Sequence, residues 1–245
     1  DAVWSTGRAG MGYRDLLPDR HGGRFIVSHI RLEHGGEVPD WVHFHRIAAQ
    51  LIFCRAGWVR VVYEDQGSAF VMRPGDCVLQ PPEIRHRVLA CAAGTEVIEL
   101  GCPAVHETLA DPSMTLPNRG VADAARRFGG QRFLFDVAAV ARWRAHGELQ
   151  VRELGLAEAS AGAIAGRVLR MVGGTTTTLV NHGDLRFGFV LEGRASLTTT
   201  DAAAIALAPD DAFALPRDRA FRLTADGPVT WLELSAGTNA TPPTM

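Results

Sequence analysis

The chain has 245 residues, 47% of them hydrophobic and 21% charged, a balance that suits a buried core and leaves length for one large β domain or two smaller ones. A formal net charge of −2 gives no reason to expect nucleic acid or an anionic membrane as partner. All 25 basic residues are arginine, which excludes a lysine Schiff base, a pyridoxal-phosphate linkage and a P-loop lysine.

Residues 1–22 lack a clear period and read as an arm ahead of the first long strand. The chain begins at Asp1, which leaves room for a removed leader. Residues 23–32 alternate as a strand does, and His34-Gly35-Gly36 breaks it. Strands are then predicted at 40–45, 50–54, 58–64, 69–72, 77–80, 86–89 and 96–100. The turns between them include Arg55-Ala56-Gly57, Asp65-Gln66-Gly67 and Pro74-Gly75. Many short strands punctuated by Gly and Pro indicate a sandwich or barrel. Cys54, Cys77, Cys91 and Cys102 form no Cys-x-x-Cys pair, so they read as free packing cysteines, which suits a cytoplasmic protein. No apolar run approaches the length needed to span a bilayer.

The stretch 42–88 carries the chemistry. His43 and His45 stand at i, i+2 on one predicted strand and so share a face. His86, on a later strand, can join them if the sheet closes, and converging neutral imidazoles make a site for a divalent transition metal. The spacing His43-x-His45-x4-Gln50-x6-Gly57 resembles the first cupin motif, and Gly75-x5-Pro81-x4-His86 is similar to the second. The resemblance implies that His43, His45 and His86 are ligands of one metal ion (Fe, Mn, Ni or Zn) and puts Gln50 at the fourth ligand position. The cupin pattern normally has Glu there. Gln50 is neutral and the weaker ligand, and can serve instead as a donor behind the ligands.

Residues 119–150 change character. Alanine and arginine at helical spacing over Val121–Phe128 and Val137–His146 predict two short helices joining the halves. The second half repeats the first: Ala69–Pro81 aligns with Ala204–Pro216 without a gap, Gly57 with Gly193, and Val97–Leu100 with Trp231–Leu234. The chain therefore resembles a bicupin. The resemblance implies an all-β fold of two tandem jelly-roll barrels joined by a short helical linker, with a metal barrel and its arm at 1–118, the linker at 119–150 and a degenerate barrel at 151–245. In that second barrel Leu179, Asn181, Arg186 and Phe221 stand where His43, His45, Gln50 and His86 stand in the first, and His182 is out of phase by one residue, so no metal is expected there.

A metal on these ligands keeps open positions for a bidentate oxygen ligand or for a substrate oxygen beside O₂. The leading expectation is a dioxygenase acting on a small diketone, enediol or aromatic hydroxy compound; quercetinase-like and gentisate-dioxygenase-like bicupins are the kind of relative implied. The alternatives are a non-redox isomerase, lyase or cyclase, and a small-molecule sensor. Glu99, on the last strand of the first barrel, is the candidate general base. Glu64 and Glu83 are expected at the surface, as are Arg60, His29, His34 and His106. Tyr63 and Trp58 are expected to pack rather than act. The partner is a small-molecule substrate, and a homodimer is compatible with the resemblance.

Overall fold

The computed structural model describes residues 3–7, 10–199 and 202–237, and the remaining positions of the expected arm and second barrel lie outside the described residues. The chain divides into two compact units, 1–140 and 141–245.

In the first unit, strands β1 (Ser5–Thr6), β2 (Gly12–Asp15), β3 (Ile26–Leu32), β4 (Gly36–Glu37) and β5 (His43–Arg46) precede β6 (Ala49–Ala56), β7 (Val59–Tyr63) and β8 (Phe70–Met72). Next come β9 (Cys77–Gln80), β10 (His86–Cys91), β11 (Thr95–Cys102), β12 (Glu107–Ala110) and β13 (Leu134–Asp136). They form two antiparallel sheets, one ordered β1-β2-β3-β11-β6-β9-β13 and the other β12-β5-β10-β7-β8, with β4 on β10. Alternation puts Ile30, Val61, Val97 and Met72 into the core between the sheets. The predicted strands all form, with ends that differ from expectation by a few residues.

The arm is not featureless. β1 and β2 extend the first sheet, with Tyr13 opposite Ile30 and Arg14 opposite His29. Two short strands of two and four residues, with Met11 and Tyr13 packed on the core, are too brief to leave a legible period.

The second unit holds β14 (Arg144–His146), β15 (Leu149–Glu153), helix α1 (Leu156–Ala159), β16 (Ile164–Met171), β17 (Thr175–Val180) and β18 (Leu185–Glu192). It continues through β19 (Ala195–Thr199), β20 (Ala202–Leu207), β21 (Ala212–Ala214), β22 (Ala220–Ala225) and β23 (Val229–Ala236). Its sheets run β14-β15-β16-β23-β18-β21 and β17-β22-β19-β20.

The repeat extends to single hydrogen bonds. Asp76 accepts from the Arg73 amide at 2.8 Å, and Asp211 accepts from the Ala208 amide at 2.8 Å. Gly75 and Asp210 fill the same turn position at φ 90° and 70°, a region that glycine enters without strain and aspartate tolerates.

The connecting segment is less helical than its composition predicts. Within 119–150 the helical content is one 3₁₀ turn, Ala138–Val140, and Val121–Phe128 forms turns and an isolated bridge between Gln66 and Ala122. Eight residues are too few to sustain a helix alone. Tertiary partners win instead: the Asp123 amide donates to the Asp65 carbonyl at 2.8 Å, and Arg126 and Arg119 pair with the Asp65 carboxylate at 3.3 and 2.9 Å. Arg144–His146 pairs with Leu149–Val151 as a hairpin. Among the described residues no helix is long and apolar enough to cross a membrane.

Candidate metal centre

Strand register builds the site. His43 and His86 are directly opposite across β5 and β10, and His86 is opposite Tyr63 across β10 and β7. The i, i+2 spacing brings His45 to the same face as His43. The ring centroids of His43 and His86 lie 4.1 Å apart, and His45 lies 5.2 Å from each. One ring nitrogen from each of the three falls within 4.8 Å of the others.

Each imidazole is also held from behind. His43 Nδ1 donates to the Trp41 carbonyl at 2.8 Å and His86 Nδ1 to the Ile84 carbonyl at 3.0 Å. A carbonyl only accepts, so both neutral rings carry the proton on Nδ1 and the lone pair on Nε2, the arrangement a metal ligand requires. His45 Nδ1 meets the Thr108 hydroxyl at 2.9 Å, and a hydroxyl suits that same tautomer. The buried Asp40 carboxylate, whose other oxygen accepts from the Val88 amide at 2.9 Å, lies 3.7 Å from His43 Nδ1. The donor set therefore fits a divalent transition metal.

Gln50 lines the same cavity, with its amide already engaged. Its Nε2 donates to Glu99 at 2.9 Å, and its Oε1 accepts from Gln80 Nε2 at 2.9 Å. Gln80 in turn accepts from the Tyr63 hydroxyl at 2.5 Å, and the Tyr63 ring stacks on His86 at 5.4 Å. Burial, with the negative charge of Glu99 and then Cys77 behind it, pushes the Tyr63 phenol far above its ordinary range, so it stays a donor. The cavity measures about 550 Å³; besides these polar groups it is lined by Ile30, Leu32, Ile52, Val61, Val88 and Val97, with Met11 and Tyr13 from the arm.

Several side chains lie where sequence reasoning did not put them. Tyr63, Gln80 and His106 all line the cavity, His106 with its ring 5.5 Å from His45 and its Nδ1 donating to the Pro103 carbonyl at 3.0 Å. Only the parity of Tyr63 and Gln80 on their strands hinted at this. Glu64, expected at the surface, is buried, accepting from the Arg85 amide at 3.1 Å because a backbone donor and Arg126 compensate its charge. His29, also expected at the surface, is buried away from the cavity between Arg14 and Glu96. Arg60 and Glu83 are exposed, as expected. Phe44 turns away from the histidines to stack under Arg85 at 4.2 Å. All four cysteines are free.

In the second unit Leu179 and Phe221 are opposite each other as His43 and His86 are in the first. Asn181 is spent on the Leu215 carbonyl, and His182 is exposed beside Asp218 at 3.2 Å. Arg186, whose charge would suit an anion, is bound to Glu233.

No protein-family model matches the chain, and no curated protein matches it. Solved structures do. An S161A mutant of Bacillus subtilis oxalate decarboxylase superposes with a TM-score of 0.69 at 15% identity, covering 97% of this chain and 75% of that one. The formate complex of Lactobacillus farciminis oxalate decarboxylase gives 0.69 at 15% identity, with 97% and 84% covered. A third, a Bacillus subtilis oxalate decarboxylase structure reported for the assignment of its Mn(II) centres, gives 0.68 at 14%, with 97% and 75% covered. The fold is that of a bicupin. Both barrels of the bicupin are present here, and the histidine triad lies in the first.

Proposed function

We propose that this bicupin is a metal-dependent enzyme acting on a small molecule that offers two oxygens, an enediol, β-diketone or ortho-hydroxy carbonyl, and that the reaction is a dioxygenation. The observation that carries the reading is the convergence of His43, His45 and His86 with the Nδ1 of each ring tied back. A divalent metal bound there supplies a Lewis acid and, as iron or manganese, a centre for dioxygen chemistry.

The residues divide the remaining work. Three neutral imidazoles leave the ion's charge uncompensated, which favours an oxygen anion as the incoming ligand. Glu99, in the cavity wall, takes the proton released as the substrate becomes its enolate. Aliphatic side chains supply much of the wall, so the oxygens of the substrate would meet the ion and the polar groups while its body rests on apolar surface. A cavity of about 550 Å³ lies within the range of small-molecule sites and far exceeds a two-carbon diacid, so the substrate carries an apolar body as well as its oxygens.

A second reading, non-redox lyase chemistry on the same site, is favoured by the structural neighbours, which are named as decarboxylases. Metal analysis followed by a panel of β-diketones, enediols and ortho-hydroxy carbonyls in an oxygen electrode separates the readings. Oxygen uptake matching substrate loss supports dioxygenation. Turnover without uptake selects the lyase reading, and tight binding without turnover leaves a sensor.

A further inference from the structure

The two barrels keep the same carboxylate and treat it in opposite ways. Glu99 is opposite Ser28 and Ile52 in the first unit, and Glu233 is opposite Arg167 and Gly188 in the second. By this register Arg167 stands where Ser28 does and Arg186 where Gln50 does. Leu215, next to Arg186 in the second unit, stands where Gln80 does. The buried Glu233 is clamped by two partly buried arginines, Arg167 at 2.6 Å and Arg186 at 2.8 Å. Around Glu99 both cations are replaced by uncharged groups, and a glutamine replaces the leucine.

What takes their place is a chain with one direction. Gln50 presents its NH₂ to a Glu99 carboxylate oxygen at 2.9 Å. Its oxygen then faces the Gln80 NH₂, and the Gln80 oxygen faces the Tyr63 hydroxyl. For Gln50 to turn its oxygen onto a metal, the bond from the buried Gln80 amide and the bond to Glu99 would both be broken, which is unfavourable away from water.

We propose that Gln50 is not a metal ligand: the ion rests on three imidazoles alone, and Gln50, held by Gln80 and Tyr63, is a positioning residue that aims Glu99 at the substrate. The inference rests on the metal-dependent reading above and says which of its residues touch the ion. Glutamine at this place keeps the directional role of Arg186 without neutralising the carboxylate.

Calorimetric titration of the whole chain with Mn(II) tests this without any substrate. The Kd of Gln50→Ala is expected within threefold of the unaltered protein, while His86→Ala weakens binding at least a hundredfold. Gln50→Met, which keeps the length of the side chain, repeats the measurement if Gln50→Ala does not fold. A loss of tenfold or more in both glutamine variants overturns the inference alone. No binding of Mn(II), Co(II) or Zn(II) by the unaltered protein overturns the metal reading and this inference with it. Gln80→Leu, which copies Leu215, is expected to keep the metal affinity and KM and to lower kcat about tenfold on a substrate found by the panel. An unaltered kcat there refutes the positioning role.

Discussion

His43 and His86 are cross-strand partners in the first barrel, and the equivalent partners in the second are Leu179 and Phe221. One backbone geometry thus presents two imidazoles to a cavity in one copy and two apolar side chains to a hydrophobic core in the other. The second core holds Leu179 and, at its edge, Phe221 together with Trp231 and Leu223. A few side chains on a repeated frame decide which copy holds a histidine triad that could bind an ion.

Metal uptake should follow that difference. His43→Ala, His45→Ala and His86→Ala are each expected to lose stoichiometric metal, and His182→Ala to retain it. Thr108→Val removes the hydroxyl that orients His45 and is expected to weaken affinity by about tenfold. Metal content after dialysis and a titrated Kd are the measurements; equal uptake by Leu179→His and His43→Ala proteins would refute the assignment.

The retained carboxylates should differ in what they contribute to stability. Glu233→Gln leaves the partly buried Arg186 without its counter-charge and Arg167 with only the neighbouring Glu153, and is expected to cost about 2 kcal/mol in urea unfolding. Glu99→Gln keeps an acceptor for Gln50 and is expected to cost roughly 1 kcal/mol or less. Equal losses would mean that Glu99 is as structural as its counterpart.

Stability should fall in alkali. Burial, helped by the Asp76 charge, pushes the Cys54 thiol up to about 12 from 9.0. Below pH 9 the folded and unfolded thiols are both protonated and this group leaves stability level. Above it the unfolded chain releases the proton while the folded chain keeps it. Stability then declines up to about 12, by roughly 1.4 kcal/mol per pH unit for each such group. Tyr63 acts in the same direction at higher pH. Urea midpoints at several pH values are the check, with a shallower decline expected in Cys54→Ala.

Narrowing the apolar end should separate binding of metal from binding of substrate. Val61→Trp fills the cavity below the histidines, and overpacking of this kind costs about 1–3 kcal/mol. Metal affinity is expected to hold while the bulkier members of the substrate panel lose turnover. If small and large substrates suffer alike, the apolar end is not where the substrate body rests.

Residue spacing made the triad legible. His43 and His45 share a face by parity, and the repeat exposed the loss of their counterparts. The two predicted helices were not legible, because alanine-rich propensity over Val121–Phe128 yields to the pairing of Asp123 and Arg126 with Asp65. Tyr63 and Gln80 were missed for a related reason. Both look like ordinary strand residues until register sets Tyr63 opposite His86 and Gln80 opposite Gln50.

Alternation, turn residues and internal repetition sufficed, from sequence alone, for an all-β chain of two similar halves and for which half carries three histidines, while the resemblance to cupins supplied the barrels. The direction of the Gln50 amide, the burial of Glu64 and the pairing of the arm with β3 were decided only by the tertiary structure. Periodicity records which face of a strand a residue occupies, whereas a hydrogen-bond partner depends on which strand lies alongside, and that is fixed only when distant segments pair.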